Sequence, residues 1–190
     1  YSNLLDIINL NFGVYYPLKE FISKEDFLSI VKKYSLANGK FFPIPIFINI
    51  SKSLYERKKK TKIVKVFYKS KKVCNLIVKS FYKVDKKKIG KKIFQTKNTN
   101  HPGFCQFLKS GDYFIHCKIK KFNHKIMKNL NFTYPEKIKS IFFKSKLKTI
   151  VGFHTRNVPH RAHEWIHNFA LKKCDGLFIH PLISQFKKNE

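Results

Sequence analysis

Four consecutive segments near the end of this 190-residue chain constrain its fold more than any other feature. A short apolar run at residues 149–153 leads into the polar decapeptide His154-Thr155-Arg156-Asn157-Val158-Pro159-His160-Arg161-Ala162-His163. Helical periodicity follows over residues 160–174, with Trp165, Ile166, Phe169 and Ala170 on the expected buried side, and a second β run spans 177–179. Strand, helix and strand at this spacing form a βαβ unit, whose two strands must be parallel and whose crossover is right-handed. Sheets of that kind take ligands beyond the carboxyl ends of their strands, and residues 154–159 and His180-Pro181 both fall at such ends.

The chemistry expected there is anionic. A helix that starts after a polar turn presents unpaired backbone N–H groups and the positive end of its dipole to one small volume, which suits a polyphosphate. Of the 40 basic side chains only three are Arg, yet two of them, Arg156 and Arg161, lie inside the decapeptide. A guanidinium grips two oxyanion oxygens at once in a flat fork, whereas an ammonium is a point charge. His160 and His163, three apart at the helix start, share a face and can both donate to phosphate oxygens, and a protonated imidazole can stabilise charge on a leaving phosphate.

The rest of the chain reads differently. Residues 1–131 are expected to be a mostly-β, barrel-like domain with helical inserts, and residues 132–190 the start of a second domain. A helix is predicted over 25–34 with Ser23 as N-cap, and strands over 43–50, 63–68, 73–82 and 113–121, rich in β-branched and aromatic residues. His101-Pro102-Gly103 predicts a turn opening a short helix that Gly111 ends, and Pro135 opens a helix over 135–144 with Ile138, Ile141 and Phe142 on its apolar face. A hydrophobic content of 43% with 16% aromatics supports packed cores rather than a disordered polyelectrolyte.

The formal net charge of +29 would ordinarily direct attention to nucleic acid. Lysines nonetheless occur along nearly the whole chain beside abundant Asn, Ile and Phe, the pattern that codon bias in an AT-rich genome produces, so nucleic acid is not the expected partner. No apolar run approaches the ~20 residues of a membrane helix, and no signal-peptide pattern stands at Tyr1, which predicts a cytoplasmic protein without a membrane partner. Cys74, Cys105, Cys117 and Cys174 lack any C-x-x-C pairing and are expected to pack as small apolar side chains in a reducing compartment. Neither end carries a natural start or stop signal, so both are expected to be cut.

The decapeptide resembles the Q-T-R-N-P-x-H-R-A-H signature of the ATP sulfurylase (sulfate adenylyltransferase) family, and the likeness runs on through Glu164 and into Gly176-Leu177-Phe178-Ile179-His180-Pro181. Three upstream boxes follow the family order. They are Gly13-Val14-Tyr15-Tyr16-Pro17-Leu18, similar to G-A-F-S-P-L; Leu36-Ala37-Asn38-Gly39-Lys40 with the Phe-Phe-Pro-Ile-Pro-Ile that follows; and residues 94–103, ending in His101-Pro102-Gly103.

The resemblance implies a PUA-like domain followed by the first part of a Rossmann-like nucleotidyltransferase domain with a parallel sheet. It implies that a sulfate oxygen attacks the α-phosphorus of ATP, with Mg2+ carried by the nucleotide and no metal site on the protein. By carry-over, His154, Thr155, Arg156, Asn157, His160 and His163 bind ATP, and His154 and Arg156 bind sulfate. Within that set Arg156 grips sulfate, Thr155 with Asn157 orients the reacting oxygens, and His160 with His163 holds the phosphates in the transition state. Homo-oligomerisation stays open. His154 stands where the family commonly has Gln, which makes its charge pH-dependent, and Val158-Pro159 reverses the usual order. The family's second nucleotide box, of the G-R-D-H-A type, is absent from the sequence, so weak or no turnover is expected of this chain alone.

Two other readings compete. His163-Glu164-Trp165-Ile166-His167 matches the H-E-x-x-H helix of zinc peptidases, but Ala170 and Lys173 occupy the places of the glycine and third histidine in its extended form. A PUA-like RNA-binding module would use Tyr68, Phe81 and Tyr82 to stack bases, although aromatics in alternating strands more often belong to a core.

Overall fold

In the computed structural model of the protein, the structure describes residues 2–128, 133 and 135–181. The chain divides into two compact units, Tyr1–Phe132 and Thr133–Glu190.

The first unit is built on a four-stranded antiparallel sheet in the order β1-β4-β3-β2, from β1 (Asn49–Ile50), β2 (Ile63–Tyr68), β3 (Lys71–Tyr82) and β4 (Tyr113–Lys120). Its helices are α1 (Ser2–Asn11), α2 (Lys24–Lys33), α3 (Lys52–Lys58), α4 (Lys86–Phe94), α5 (Pro102–Lys109) and α6 (Lys125–Lys128). Helix therefore outweighs strand here, a correction to the mostly-β expectation. Among the described residues no ladder joins β1 to β2, so the sheet stays open rather than closing as a barrel.

The predicted strand over 43–50 shrinks to the two residues of β1, because Pro43 and Pro45 have no N–H to give a ladder. Helices α1 and α6 carry no strong start signal in the sequence, and the caps of α3 and α4, Ser51 and Asp85, whose side chains accept from the Leu54 and Lys88 amides, were not read from it. By contrast α2 has the expected Ser23 cap, whose side chain accepts from the Asp26 amide. The hairpin between β2 and β3 turns on Lys69 and Ser70, both with positive φ, as a two-residue turn matched to strand twist requires. Gly111 does not end α5, whose cap is Ser110. Its role is close approach, since a Cβ there would lie 2.2 Å from the Ile50 carbonyl oxygen.

The core centres on Phe114, fully buried on β4. Phe27, Phe47 and Tyr82 pack around it with ring centroids 5.4, 5.0 and 5.4 Å away. Tyr82 is therefore a core residue whose hydroxyl donates to the Ile22 carbonyl, while Tyr68 and Phe81 are half-buried. Cys74 and Cys117 are free and fully buried. Burial pushes the Cys74 thiol up to about 11 and, with Cys74 and Glu20 adding to the effect, the Cys117 thiol up to about 12. At the sheet surface Glu20 Oε1 accepts from Lys79 Nζ at 2.6 Å and from His116 Nε2 at 2.9 Å.

The second unit holds α7 (Pro135–Lys144), β5 (Ile150–Thr155), α8 (Arg161–Leu171) and β6 (Gly176–Pro181). β5 and β6 pair in parallel, with Ile150 opposite Gly176 and His154 opposite His180. On one face of the pair Phe142 of α7 meets Phe178 edge-on at 5.5 Å. On the other, Phe153 receives His163 and His167 of α8. The side of α8 expected to be buried is open instead, with Trp165 68% and Phe169 55% exposed and stacked on each other at 5.7 Å. The reason is rotational: α8 turns the 163, 167 and 170 positions toward β5, so its larger apolar side chains project from the opposite flank. Ile141 of α7 is likewise exposed.

Two stability outcomes follow. Phe114→Ala should cost about 3–5 kcal/mol of unfolding free energy, read by urea denaturation, because it opens a cavity where four rings meet. Burial raises the Glu20 carboxyl, but hydrogen bonds and charge from Lys79 and His116 outweigh it and leave Glu20 below its ordinary range. Its stabilisation is thus present above the unfolded carboxylate range and lost as pH falls through the folded value. Glu20→Gln should destabilise the protein near neutrality and have little effect once the pH is below the folded Glu20 value, where the carboxyl is protonated in both states. An equal penalty at both would contradict the linkage.

Candidate active site

The parallel register fixes the site's base. Asp175, just before β6, accepts from the Lys148 and Thr149 amides and from Thr149 Oγ1 at 2.8–3.0 Å, and its own amide donates to Thr149 Oγ1. The hydrogen bonds from the Thr149 amide and hydroxyl, then that from Lys148, hold its carboxyl below the ordinary range. A side chain at Gly176 would meet Leu147 at 2.8 Å, so the start of β6 lies close against the segment leading into β5.

Beyond this clamp β5 runs further than its apolar residues suggest. His154 and Thr155, expected in the turn, are the last two residues of the strand, opposite His180 and Pro181. Thr155 is only 8% exposed, and its Oγ1 accepts from the Asn157 amide at 3.0 Å while its hydroxyl donates to the Asn157 carbonyl at 3.3 Å. This local turn reverses the chain between strand and helix and leaves Arg156 and Asn157 exposed. An ordered turn of this kind costs a bound ligand less conformational entropy than a loose loop would.

His160 is the N-cap of α8, with extended backbone angles (φ −141°, ψ 174°). Its backbone N–H donates to His163 Nδ1 at 3.3 Å, and the two rings lie 4.0 Å apart. Because Nδ1 accepts, neutral His163 carries its hydrogen on Nε2, which stays available to donate. Desolvation first, then the neighbouring His160 and His167, lower the His163 pKa. The structure thus favours a neutral donor at 163 over a permanent imidazolium. His167 packs edge-on against Phe153 at 4.5 Å, and its buried Nε2 has no hydrogen-bond partner among the described residues. Glu164 sits in the first turn of α8, where a carboxylate complements the dipole. Among the described residues no group of three or more His, Cys, Asp and Glu could hold a metal ion, so the H-E-x-x-H spacing finds no third ligand among them.

The structure therefore brings Thr155 and Asn157 into one hydrogen-bonded turn, pairs His160 with His163, and sets His154 beside His180, whose Nδ1 atoms are 3.0 Å apart. Sequence reasoning placed His180 at a strand end without giving it a role, and passed over Asp175. The usable signal for His180 was that both histidines directly follow the apolar runs 149–153 and 177–179.

Comparison with known proteins gives this geometry a context. A PUA-like domain model matches residues 1–124, and an ATP-sulfurylase model matches residues 130–190. A sulfate adenylyltransferase of Pyrococcus abyssi is 31% identical over 191 residues, covering 100% of this chain and 50% of the relative. Through residues 1–124 the chain belongs to the PUA-like domain family, and its remainder is similar to ATP-sulfurylases.

A sulfate adenylyltransferase of Entamoeba histolytica is 32% identical over 196 residues, covering 97% of the chain and 46% of that protein. The chain spans about half the length of the curated relatives it matches. A solved structure titled as a hexameric APS kinase from Thiobacillus denitrificans has the same fold, with a TM-score of 0.70 at 13% identity, over all of this chain and 34% of that one. No helix among the described residues is long and apolar enough to cross a membrane.

Thr155→Val keeps the shape but removes the acceptor for the Asn157 amide. It should cost about 1–3 kcal/mol if that amide is left unpaired, and should speed hydrogen exchange at Asn157 while leaving Phe114 protected. Unchanged exchange at Asn157 would show that Thr155 does not hold the turn.

Proposed function

We propose that this chain carries ATP- and sulfate-binding groups of a sulfate adenylyltransferase, the enzyme that transfers AMP from ATP to sulfate. In that reaction a sulfate oxygen forms a bond to the α-phosphorus, the bond from that phosphorus to the bridging oxygen breaks, and pyrophosphate leaves. The products are adenosine 5′-phosphosulfate and pyrophosphate. No protein nucleophile is needed, so the demands on the protein are alignment of a weak nucleophile and neutralisation of charge on the phosphates.

The observation that carries the reading is the β5–turn–α8 junction, where an ordered turn with two exposed arginines nearby ends on a histidine-capped helix N-terminus. The α8 amides and dipole favour phosphate oxygens, and His160 and neutral His163 can donate to the same group. Arg156 is assigned to sulfate, whose tetrahedral oxygens suit a guanidinium fork. Thr155 and Asn157 keep the turn that aims it, and Mg2+ arrives with the nucleotide rather than on protein ligands. The ATP-sulfurylase match over residues 130–190 and the curated relatives' names support the same chemistry.

Titration calorimetry with a non-hydrolysable ATP analogue tests the assignment. His160→Ala and Arg161→Ala should each weaken binding several-fold, and together at least about tenfold, or ~1.4 kcal/mol. Arg156→Ala should act mainly on sulfate added afterwards. Affinities unchanged across all three variants would remove the phosphate role from α8.

A further inference from the structure

The two histidines that end β5 and β6 form a contact that the proposed reaction does not by itself require. His154 Nδ1 lies 2.9 Å from the His180 carbonyl oxygen and 3.0 Å from His180 Nδ1, and the rings stack with centroids 5.1 Å apart at 29°. A carbonyl oxygen can only accept a hydrogen bond. The hydrogen of this contact must therefore sit on His154 Nδ1, with His180 Nδ1 as a second acceptor in a three-centre arrangement. A neutral imidazole has one N–H. His154 Nε2, the ring nitrogen without a partner among the described residues, is consequently a bare lone pair that repels an oxyanion, and becomes a donor only when the ring takes up a proton.

We propose that His180 is a positioning residue that fixes the tautomer of His154, and that oxyanion binding at the end of β5 is thereby coupled to uptake of one proton at His154 Nε2. This rests on the reading of the site given above, and deepens it by naming the protonation state in which sulfate is held. The same contact limits the pair to a single added proton, because an N–H on His180 Nδ1 would face the N–H of His154 at 3.0 Å. Charged and titratable groups on the surrounding elements are few. They are His180 on β6, Arg156 two residues along from His154, and Glu136, Lys137, Lys139 and Lys144 on α7, which covers that sheet face through Phe142. Among the described residues His154 hydrogen-bonds to His180 alone. The imidazoles of α8 are on the other face, packed on Phe153.

Two measurements on the whole chain test the proposal. Long-range 1H–15N correlation spectra of the free protein should show neutral His154 as the Nδ1–H tautomer, and His180→Ala should shift it toward a mixture. Titration of sulfate in the presence of a non-hydrolysable ATP analogue, repeated in buffers of contrasting ionisation enthalpy on the alkaline side of the imidazole titration, should report uptake of about one proton per sulfate. In that range affinity should fall up to about tenfold per pH unit, as single-proton linkage requires. His154→Gln, whose amide donates without a proton, should abolish the uptake and flatten the pH dependence. An Nε2–H tautomer in the free protein, sulfate binding without proton uptake, or uptake that persists in His154→Gln would overturn the inference while leaving the oxyanion site standing. Failure of sulfate to bind both proteins would remove the oxyanion reading and this inference with it.

Discussion

Parallel pairing of β5 with β6 is the constraint on which the candidate site depends. Parallel strands cannot be joined by a tight turn, so the chain must leave β5, cross over as α8 and return, and that crossover places a helix N-terminus at the carboxyl end of the strand it left. The register then decides which side chains share that end. With Ile150 opposite Gly176, His154 falls opposite His180. A slip of one residue would turn His154 to the face that holds Phe153 and send Phe153 to the other side. The Asp175 carboxylate, gripping the Thr149 amide and hydroxyl, sets this register at the far end of the pair, and Gly176 allows the close approach it demands.

The chemistry at the near end follows from how each imidazole is held. His163 accepts from the His160 backbone, which assigns its hydrogen to Nε2, and desolvation with neighbouring imidazoles favours its neutral form. His154 donates from Nδ1 to a carbonyl, which assigns its hydrogen the opposite way. Two histidines separated by nine positions in sequence thus present different faces to an anion. One is a donor without added charge and the other must acquire a proton first. Such a division suits the proposed function, which needs a polyphosphate along α8 and a tetrahedral dianion beside the strand end.

Much of this was legible in the sequence, and the parts that were not have identifiable causes. The strands β2, β3 and β4 announce themselves through β-branched and aromatic runs, α2 through Ser23, and α7 through Pro135. Helices α1 and α4 do not: α1 has no side-chain cap among the described residues, and in α4 lysines crowd the few apolar positions, so its Asp85 cap stands out little and the helix depends on packing Gly90 against Phe104, a contact distant in sequence. The proline-rich approach to β1 looked like a strand because it is apolar, but hydrophobicity alone supplies no ladder donor. The candidate residues 154–163 were found by their chemistry, and the role of Thr155 as a turn-holder is an ordinary Thr property. The His154–His180 contact was hidden, since it depends on register, and register follows from Asp175 and Gly176 rather than from either histidine.

The wrong prediction for α8 has a physical lesson about periodicity. Trp165, Ile166 and Phe169 form a convincing apolar stripe, yet the helix turns His163 and His167 to Phe153 instead. Imidazoles pack edge-on against an aromatic ring at 4.5 and 5.4 Å as well as an aliphatic side chain would, so hydropathy underestimates them as packing residues. That orientation has a consequence for the site. The aromatic contact on Phe153 and the backbone bond from His160 hold His163 from two directions, so its Nε2 hydrogen is aimed before any ligand arrives, and less rotamer entropy remains to be lost on binding. In a chain with a net charge of +29, attraction for anions is general and cannot select among them. Selectivity has to come from donors fixed in direction, and at the start of α8 that direction is set by Phe153.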